Sequence, residues 1–355
     1  MVSCDVVRTS PAVSAAFAAL TLSGALAACA EDPPVVAPDA GVVDGDAGPR
    51  FRAVEIPALP SPAPNFFDVW GTSRTDVWLV GSSGTIVHYD GTAWVQEPTD
   101  TQVALRAVHG LARTDAGVEV YAVGDEGVTL TRGADGTWTT DASTTTEDLR
   151  DLVGRDGPDA ELWAVGANGT ILRRDLSPAM PGAPTAWARV RSNTRENLGG
   201  AWISGDGDVV AVGNLGVIMR GSATDAFMRQ RIDGLVSPLV GVWGVAPDRL
   251  YFVGLDGKIV RQQGREISEL PDVPAVYLRR LVGPSFDRFW VTGWGGTLVS
   301  VEGGRATSYA DFTDNRLEGI WLTTRDEPDP STDGGVRSVP EYWVTGVSGK
   351  VLVGP

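Results

Sequence analysis

Few side chains in this sequence have both the type and the spacing to do chemistry, and those few sit inside a repeat. Arg106, Arg150 and Arg279 occupy one equivalent position in three copies of that repeat. Three guanidinium groups aimed at one point can hold a carboxylate or phosphate through paired, charge-assisted hydrogen bonds. The competing use is pairing with nearby carboxylates such as Asp148. Trp294 lies between Gly293 and Gly296, where the other copies carry Ser82, Asp125, Ala167, Asn214, Leu255 and Val347. A tryptophan on a turn can stack on a sugar or anchor a partner; it can also pack on a neighbouring unit, as Leu255 and Val347 suggest.

Carboxylates are plentiful between the repeats, including Asp100, Asp141, Glu147, Asp233, Asp272, Asp311 and Asp314. A glycoside hydrolase needs two at a defined separation, and nothing in the sequence singles out a pair. Asp76, Asp248 and Asp287 precede apolar runs, where turn formation accounts for them. There are two histidines, His88 and His109, and two cysteines, Cys4 and Cys29. That inventory argues against a zinc cage or a histidine-based triad, and neither a metal nor a cofactor is expected. His109 stands where other copies carry tryptophan and reads as core or channel lining. His88 aligns with Arg173, Arg220 and Arg261 and is expected to face solvent.

The 45 Asp and Glu outnumber the 29 Lys and Arg, for a formal net charge of -16. Nucleic acid and anionic lipid need a basic footprint, so no general affinity for either is expected. Apolar residues make up 43% of the chain, ample for a core.

Residues 11–28 carry no charge and end in Leu26-Ala27-Ala28-Cys29, with Arg8 upstream. The stretch has the form of a secretory signal, and its end resembles the lipobox of bacterial lipoproteins. The resemblance implies cleavage before Cys29 and lipidation of Cys29, placing the chain in the bacterial cell envelope, held to a membrane by its lipid. An uncleaved anchor is the alternative. Residues 29–50 follow as a tether: 30–49 hold four prolines, two Asp-Ala-Gly triplets and no positive charge, too little apolar surface to order itself. The acidic run Asp39, Asp44, Asp46 lacks the spacing of a calcium loop.

From residue 51 onward the chain is organised by seven glycine pairs of constant spacing: Gly81/Gly84, Gly124/Gly127, Gly166/Gly169, Gly213/Gly216, Gly254/Gly257, Gly293/Gly296 and Gly346/Gly349. Runs rich in β-branched and aromatic residues flank each pair, as in Leu162-Trp163-Ala164-Val165, and read as strands joined by a tight hairpin. The glycines are expected to supply the positive φ that such turns require. A phosphate-cradling loop would be followed by a helix, and here another strand follows. Ahead of each pair lies another strand motif, from Phe66, Leu105, Leu149, Leu198, Leu239, Leu278 and Leu317. A weaker fourth strand follows, marked by Trp94, Trp138 and Trp187 in the first three copies.

Four strands recurring every 39 to 53 residues describe a propeller blade. The two long intervals are assigned to an insertion around Pro178, Pro181 and Pro184 and to a polar loop over 324–341. The seventh copy ends at Pro355 without a fourth strand. Residues 51–56 are therefore predicted to complete it, giving an all-β, seven-bladed β-propeller over 51–355. Eleven of the twelve tryptophans fall on repeated positions and read as packing residues.

The unit Val77-Trp78-Leu79-Val80-Gly81-Ser82-Ser83-Gly84-Thr85-Ile86 resembles the repeats of photosystem II assembly-factor-like proteins and of bacterial neuraminidase-type (BNR-like) repeat proteins. The resemblance spans 51–355 and implies the propeller fold; the group includes assembly factors, binding proteins and enzymes. The neuraminidase Asp-box is incomplete at Ala134-Asp135-Gly136-Thr137-Trp138. The reading taken is a non-enzymatic binding or assembly scaffold using the face that bears the hairpin turns, with a protein or glycan as partner. Its alternatives are a propeller glycoside hydrolase or polysaccharide lyase using loop carboxylates, and a carbohydrate-binding lipoprotein.

Overall fold

An isolated four-stranded sheet leaves both of its apolar faces wet, so each repeat must find a neighbour on either side. In a computed structural model of the protein the repeats do so by forming a ring. The structure describes residues 51–355 except 58, 114–116, 178–185, 311, 314, 330 and 332–334. The signal segment, Cys29, the tether, Asp311, Asp314 and the three prolines at 178, 181 and 184 lie outside the described residues.

Seven four-stranded antiparallel sheets make a seven-bladed β-propeller. Their innermost strands are Phe66–Ser73, Leu105–Arg113, Leu149–Arg155, Leu198–Ile203, Leu239–Ala246, Leu278–Ser285 and Leu317–Pro328, for blades 1 to 7. Each innermost strand packs on the next around the ring, and the seventh packs on the first. The core is accordingly divided into seven clusters, one per interface between blades. Trp78 and Val80 of blade 1 meet Leu105 and Val120 of blade 2, and Trp343 and Val353 of blade 7 meet Phe66 and Val77 of blade 1.

Blade 7 takes its outer strand from the N-terminal segment. Arg52 pairs with Val353 and Ala53 with Leu352, and the Val54 N–H donates to the Val351 carbonyl at 2.9 Å. The regular strand is thus shorter than the 51–56 expected. Beyond it, Val54, Ile56 and Leu59 pack into the interface between blades 7 and 1. On the other side Phe51 sits edge-on to Trp290 and Phe312, at 5.2 and 5.4 Å between centroids. The third strand of blade 7 therefore has no open edge along those residues.

The glycine pairs work differently from the expectation, as blade 3 illustrates. Gly166 is extended (φ -169) and supplies no turn geometry. A Cβ there would lie 2.0 Å from the Asp148 carbonyl oxygen, which accepts the Ala167 N–H at 2.8 Å. The first glycine thus lets the turn close on the loop that enters its own blade. Gly169 has positive φ (+65), and a Cβ there would lie 2.2 Å from the carbonyl of Thr194, in the loop entering blade 4. The second glycine locks neighbouring blades together. A further left-handed residue lies between them, Asn168 at φ 51.

The segment over 324–341 is a paired hairpin rather than a loop. The innermost and second strands of blade 7 continue past Thr324↔Pro340 to Pro328↔Val336, because alternating residues there give one half-covered and one wet face.

Phe51→Ala is expected to lower stability by about 2 kcal/mol, below the figure for a fully buried phenylalanine because the ring is half-exposed. Chemical denaturation followed by tryptophan fluorescence measures it. An unchanged midpoint would show that the N-terminal strand does not hold the ring shut.

Candidate functional site

Strand register converts repeated sequence positions into rings of side chains around the central channel. The first residue of each innermost strand pairs with the first glycine of its hairpin, as Leu105 with Gly124 and Leu149 with Gly166. The next residue therefore lies at the channel mouth on the hairpin-turn face. Arg106, Arg150 and Arg279 hold that position in blades 2, 3 and 6, and the structure brings all three to one cavity of about 270 Å³, whose wall also includes Phe67, Gly199, Val240, Arg280 and the carboxylates Asp125 and Asp148.

Their electrostatic states differ. Arg106 grips Asp125, Nε to Oδ1 at 2.8 Å and Nη2 to Oδ2 at 2.7 Å, and its guanidinium lies 4.5 Å from the Phe67 ring centroid. Arg279 donates from Nε to Glu318 Oε2 at 2.7 Å. Arg150 makes no ion pair among the described residues. Burial pushes its pKa below the ordinary value, against the pull of Asp148 and with further help from Arg106. An arginine cannot shed its proton at neutral pH, so the mouth contains one half-buried guanidinium whose donors are free for an oxyanion.

One residue further in, Arg280 of blade 6 reaches across the lumen to blade 3. Its Nη1 pairs with Asp151 Oδ2 at 2.5 Å, and Nη2 donates to the Arg150 carbonyl at 3.3 Å. Burial works against the charge on Arg280, but Asp151 and Asp68 outweigh it and raise its pKa. Asp151 also ties neighbouring blades, accepting the Leu152 N–H at 2.9 Å and the Ala201 N–H at 2.7 Å. Asp68 does the same between blades 1 and 2, accepting the Val108 N–H at 3.1 Å. No cation pairs with Asp68 among the described residues. Burial lifts its pKa to about 6, only partly offset by Arg280.

Beyond this charged waist the channel opens on the other face into a cavity of about 420 Å³. Trp70, Trp202, Trp243 and Trp321 line it, half-buried, with His109. Their repeated positions read as core, yet they form a collar between lumen and interface. Trp70 lies over Gly110 of blade 2, where a Cβ would come within 2.2 Å of the indole. Trp321 lies likewise over Gly71. His109 lines the cavity, and burial lowers its pKa to about 4, so it is neutral at neutral pH.

Trp294 is half-buried. Tyr277 meets it edge-on at 4.4 Å and the Arg316 guanidinium covers its ring at 5.2 Å. His88 is not solvent-facing as expected. It stacks on Trp78 at 4.1 Å with 4° between planes, and its nitrogens contact Asp76 Oδ1 at 2.7 Å and Glu97 Oε1 at 3.3 Å. Glu97 also takes Arg132 at 2.7 Å and the Trp138 N–H at 2.6 Å. Among the loop carboxylates, Asp141 pairs with Arg174 at 2.5 Å and Glu147 accepts the Asn168 amide at 2.7 Å. Among the described residues no three His, Cys, Asp or Glu side chains converge as a metal site requires.

The sequence reading overlooked Asp68, Asp151 and Arg280. The signal was present: one residue beyond the arginine position, where other copies carry Ala or Gly, these three blades carry a charge.

The chain is a seven-bladed propeller whose channel opens at both ends of its axis. No protein-family model matches the chain and no curated protein matches it. Among solved structures it is similar to YCF48 bound to D1 peptide, at 16% identity and TM-score 0.61 over 87% of this chain and 96% of that one. It is also similar to virginiamycin B lyase from Staphylococcus aureus (14%, TM-score 0.67, 86% and 99%). A third is RRP9 WD40 repeats (8%, TM-score 0.63, 86% and 97%). At such identities the likeness is one of fold.

The His88 cluster sets a pH dependence. Burial opposes the charge on His88, but its hydrogen bonds to the Glu97 and Asp76 carboxylates prevail and raise its pKa. Burial likewise opposes the charge on Glu97, yet His88, Arg132 and Trp138 hold it down at about 2. The His88 contribution is therefore complete below its ordinary pKa and fades as pH rises through the raised one. That of Glu97 is present above its ordinary pKa and fades toward pH 2. His88→Gln is expected to lose more stability at pH 5.5 than at pH 9, read from denaturation midpoints at both. Equal losses would mean that the imidazole acts only by packing.

Proposed function

We propose that this protein is a non-enzymatic binding or assembly scaffold of the bacterial cell envelope. It is held to a membrane through lipid on Cys29 and receives a protein partner on the hairpin-turn face. The observation that carries this reading is Arg150, a half-buried guanidinium without an ion pair among the described residues, set between Arg106 and Arg279 in a cavity of about 270 Å³. A partner carboxylate entering there replaces water on a donor pair that the protein leaves open. The stabilisation of a desolvated, paired charge is larger than on a flat surface.

Two further observations support a binding role. A propeller of similar fold, YCF48, has been solved with D1 peptide bound, so the architecture accommodates a peptide ligand. The loop carboxylates Asp141 and Glu147 are occupied by Arg174 and Asn168, which leaves them poor material for an acid–base pair. Trp294 stands on the same face as the arginines. Its position beneath Arg316 makes it a wall for a bound peptide rather than a platform for a sugar.

Two measurements test the reading. Glutamate-rich hexapeptides are expected to bind the full chain at low ionic strength in preference to their glutamine counterparts. Arg150→Gln is expected to weaken that binding about 10- to 100-fold, the loss of a charged hydrogen-bonded pair. Arg106→Gln costs less, since its donors already serve Asp125. Indifference of the peptides to Arg150→Gln would move the site elsewhere. For the anchor, Cys29→Ser is expected to abolish incorporation of radiolabelled palmitate and to shift the protein from the membrane to the soluble fraction. Unaltered labelling would remove Cys29 from the proposal.

A further inference from the structure

The cavity on the face opposite the arginine mouth is chemically different from it. We propose that it is a binding site for an organic ammonium cation, with Asp68 as counter-ion and the tryptophan collar as its wall. The proposal is independent of the reading of the hairpin-turn face, from which the Arg280–Asp151 pair separates it.

The first argument is charge. Two carboxylates, Asp68 and Asp151, and one guanidinium, Arg280, face this cavity. Arg280 is committed to Asp151 at 2.5 Å and to the Arg150 carbonyl at 3.3 Å. Its attraction reaches Asp68 from beyond ion-pair distance. The hydrogen-bond donors to Asp68 are the backbone N–H groups of Val108 and Val69. His109 is neutral and adds no positive charge. The lumen on this side is therefore net negative when Asp68 is ionised, and a half-buried carboxylate without a partner cation loses hydration that nothing replaces. A cation entering from the open end supplies the missing partner.

The second argument is the wall. Trp70, Trp202, Trp243 and Trp321 ring the entrance. Their indole N–H groups make no hydrogen bond among the described residues and are not among the fully buried polar atoms. Between collar and waist the lining is aliphatic, including Val69, Leu152, Val242 and Leu281. Calcium and magnesium take about six or more oxygen ligands, which such a wall cannot offer, and among the described residues no three His, Cys, Asp or Glu side chains converge as other metals require. Aromatic and aliphatic surfaces instead suit a weakly hydrated, alkylated ammonium group, which gains from tryptophan faces and loses little on leaving water. A neutral apolar ligand would fill the same space but cover the half-buried Asp68 without pairing it.

The third argument is size. About 420 Å³ falls within the range of small-molecule sites. The glycines beneath the collar, Gly71 and Gly110, admit no side chain, so the indoles cannot collapse inward without losing their seats between blades.

The test uses the full chain, choline and benzyltrimethylammonium as probes, and 3,3-dimethylbutan-1-ol as the uncharged counterpart of choline. Binding is followed by calorimetry and by tryptophan fluorescence. Saturable binding of at least one cation is expected, with the alcohol at least tenfold weaker than choline if choline binds. Asp68→Asn retains the backbone hydrogen bonds, and so the fold, but is expected to weaken cation binding at least tenfold. Trp243→Ala is expected to weaken it several-fold, and Arg229→Gln, on the exposed outer strand of blade 4, to leave it unchanged. Absence of saturable binding by both cations overturns the proposal. So does equal affinity for choline and the alcohol, or binding that survives Asp68→Asn in full.

Discussion

The constraint on which the structure depends is that no blade can bury its own faces. Each sheet has apolar residues on both sides, and the seven clusters lie between blades rather than within them. A gap at any interface would leave two faces wet. Closure is therefore a condition for burying the first and last faces at all, and the protein meets it by returning its N-terminal segment to blade 7. The glycine pairs serve the same end. They have no room for a side chain because the loop of the same blade, and then that of the next, occupies the space a Cβ would take.

Closing the ring creates a channel and with it a second problem, the filling of its axis. Small residues such as Ala107, Gly200 and Gly241 allow the innermost strands to approach, but three blades place charges at that depth. Asp151 and Arg280 neutralise each other across the lumen while Asp151 bonds the backbone of blade 4. Asp151 is buried and Arg280 half-buried, so the pair contributes less by attraction than its distance suggests, since both groups lose hydration. Its larger effect is geometric: it divides the axis into two compartments of opposite character, one rich in arginine and one aromatic and acidic.

Propellers with unrelated sequences share this architecture and differ in what they carry at the two ends of the axis and on their loops. The similar structures make the point, for a peptide-bound YCF48 and a virginiamycin B lyase align with 87% and 86% of this chain. In this protein the side chains along the axis include Arg150 at one mouth and Asp68 in the lumen, neither of which has an ion-pair partner among the described residues.

The fold was legible because its signals are local. Glycines three apart, alternating apolar runs and a period near 40 residues specify strand, turn and blade within a few residues of chain, and repetition multiplies a weak signal seven times. The missing outer strand of the last copy pointed to the N-terminal segment by elimination. Several functions of those same residues were not legible. The first glycine of each pair looks like a turn residue until the carbonyl from the preceding loop is seen against it. His88 looks like a surface residue until Glu97 and Asp76 close on it. The tryptophans of the innermost strands look like core until the register turns them toward the lumen. Sequence determined which residues repeat. The tertiary structure alone decided which charges meet, because Arg280 and the Arg150 carbonyl are 130 positions apart and only the closed ring brings them within hydrogen-bond reach.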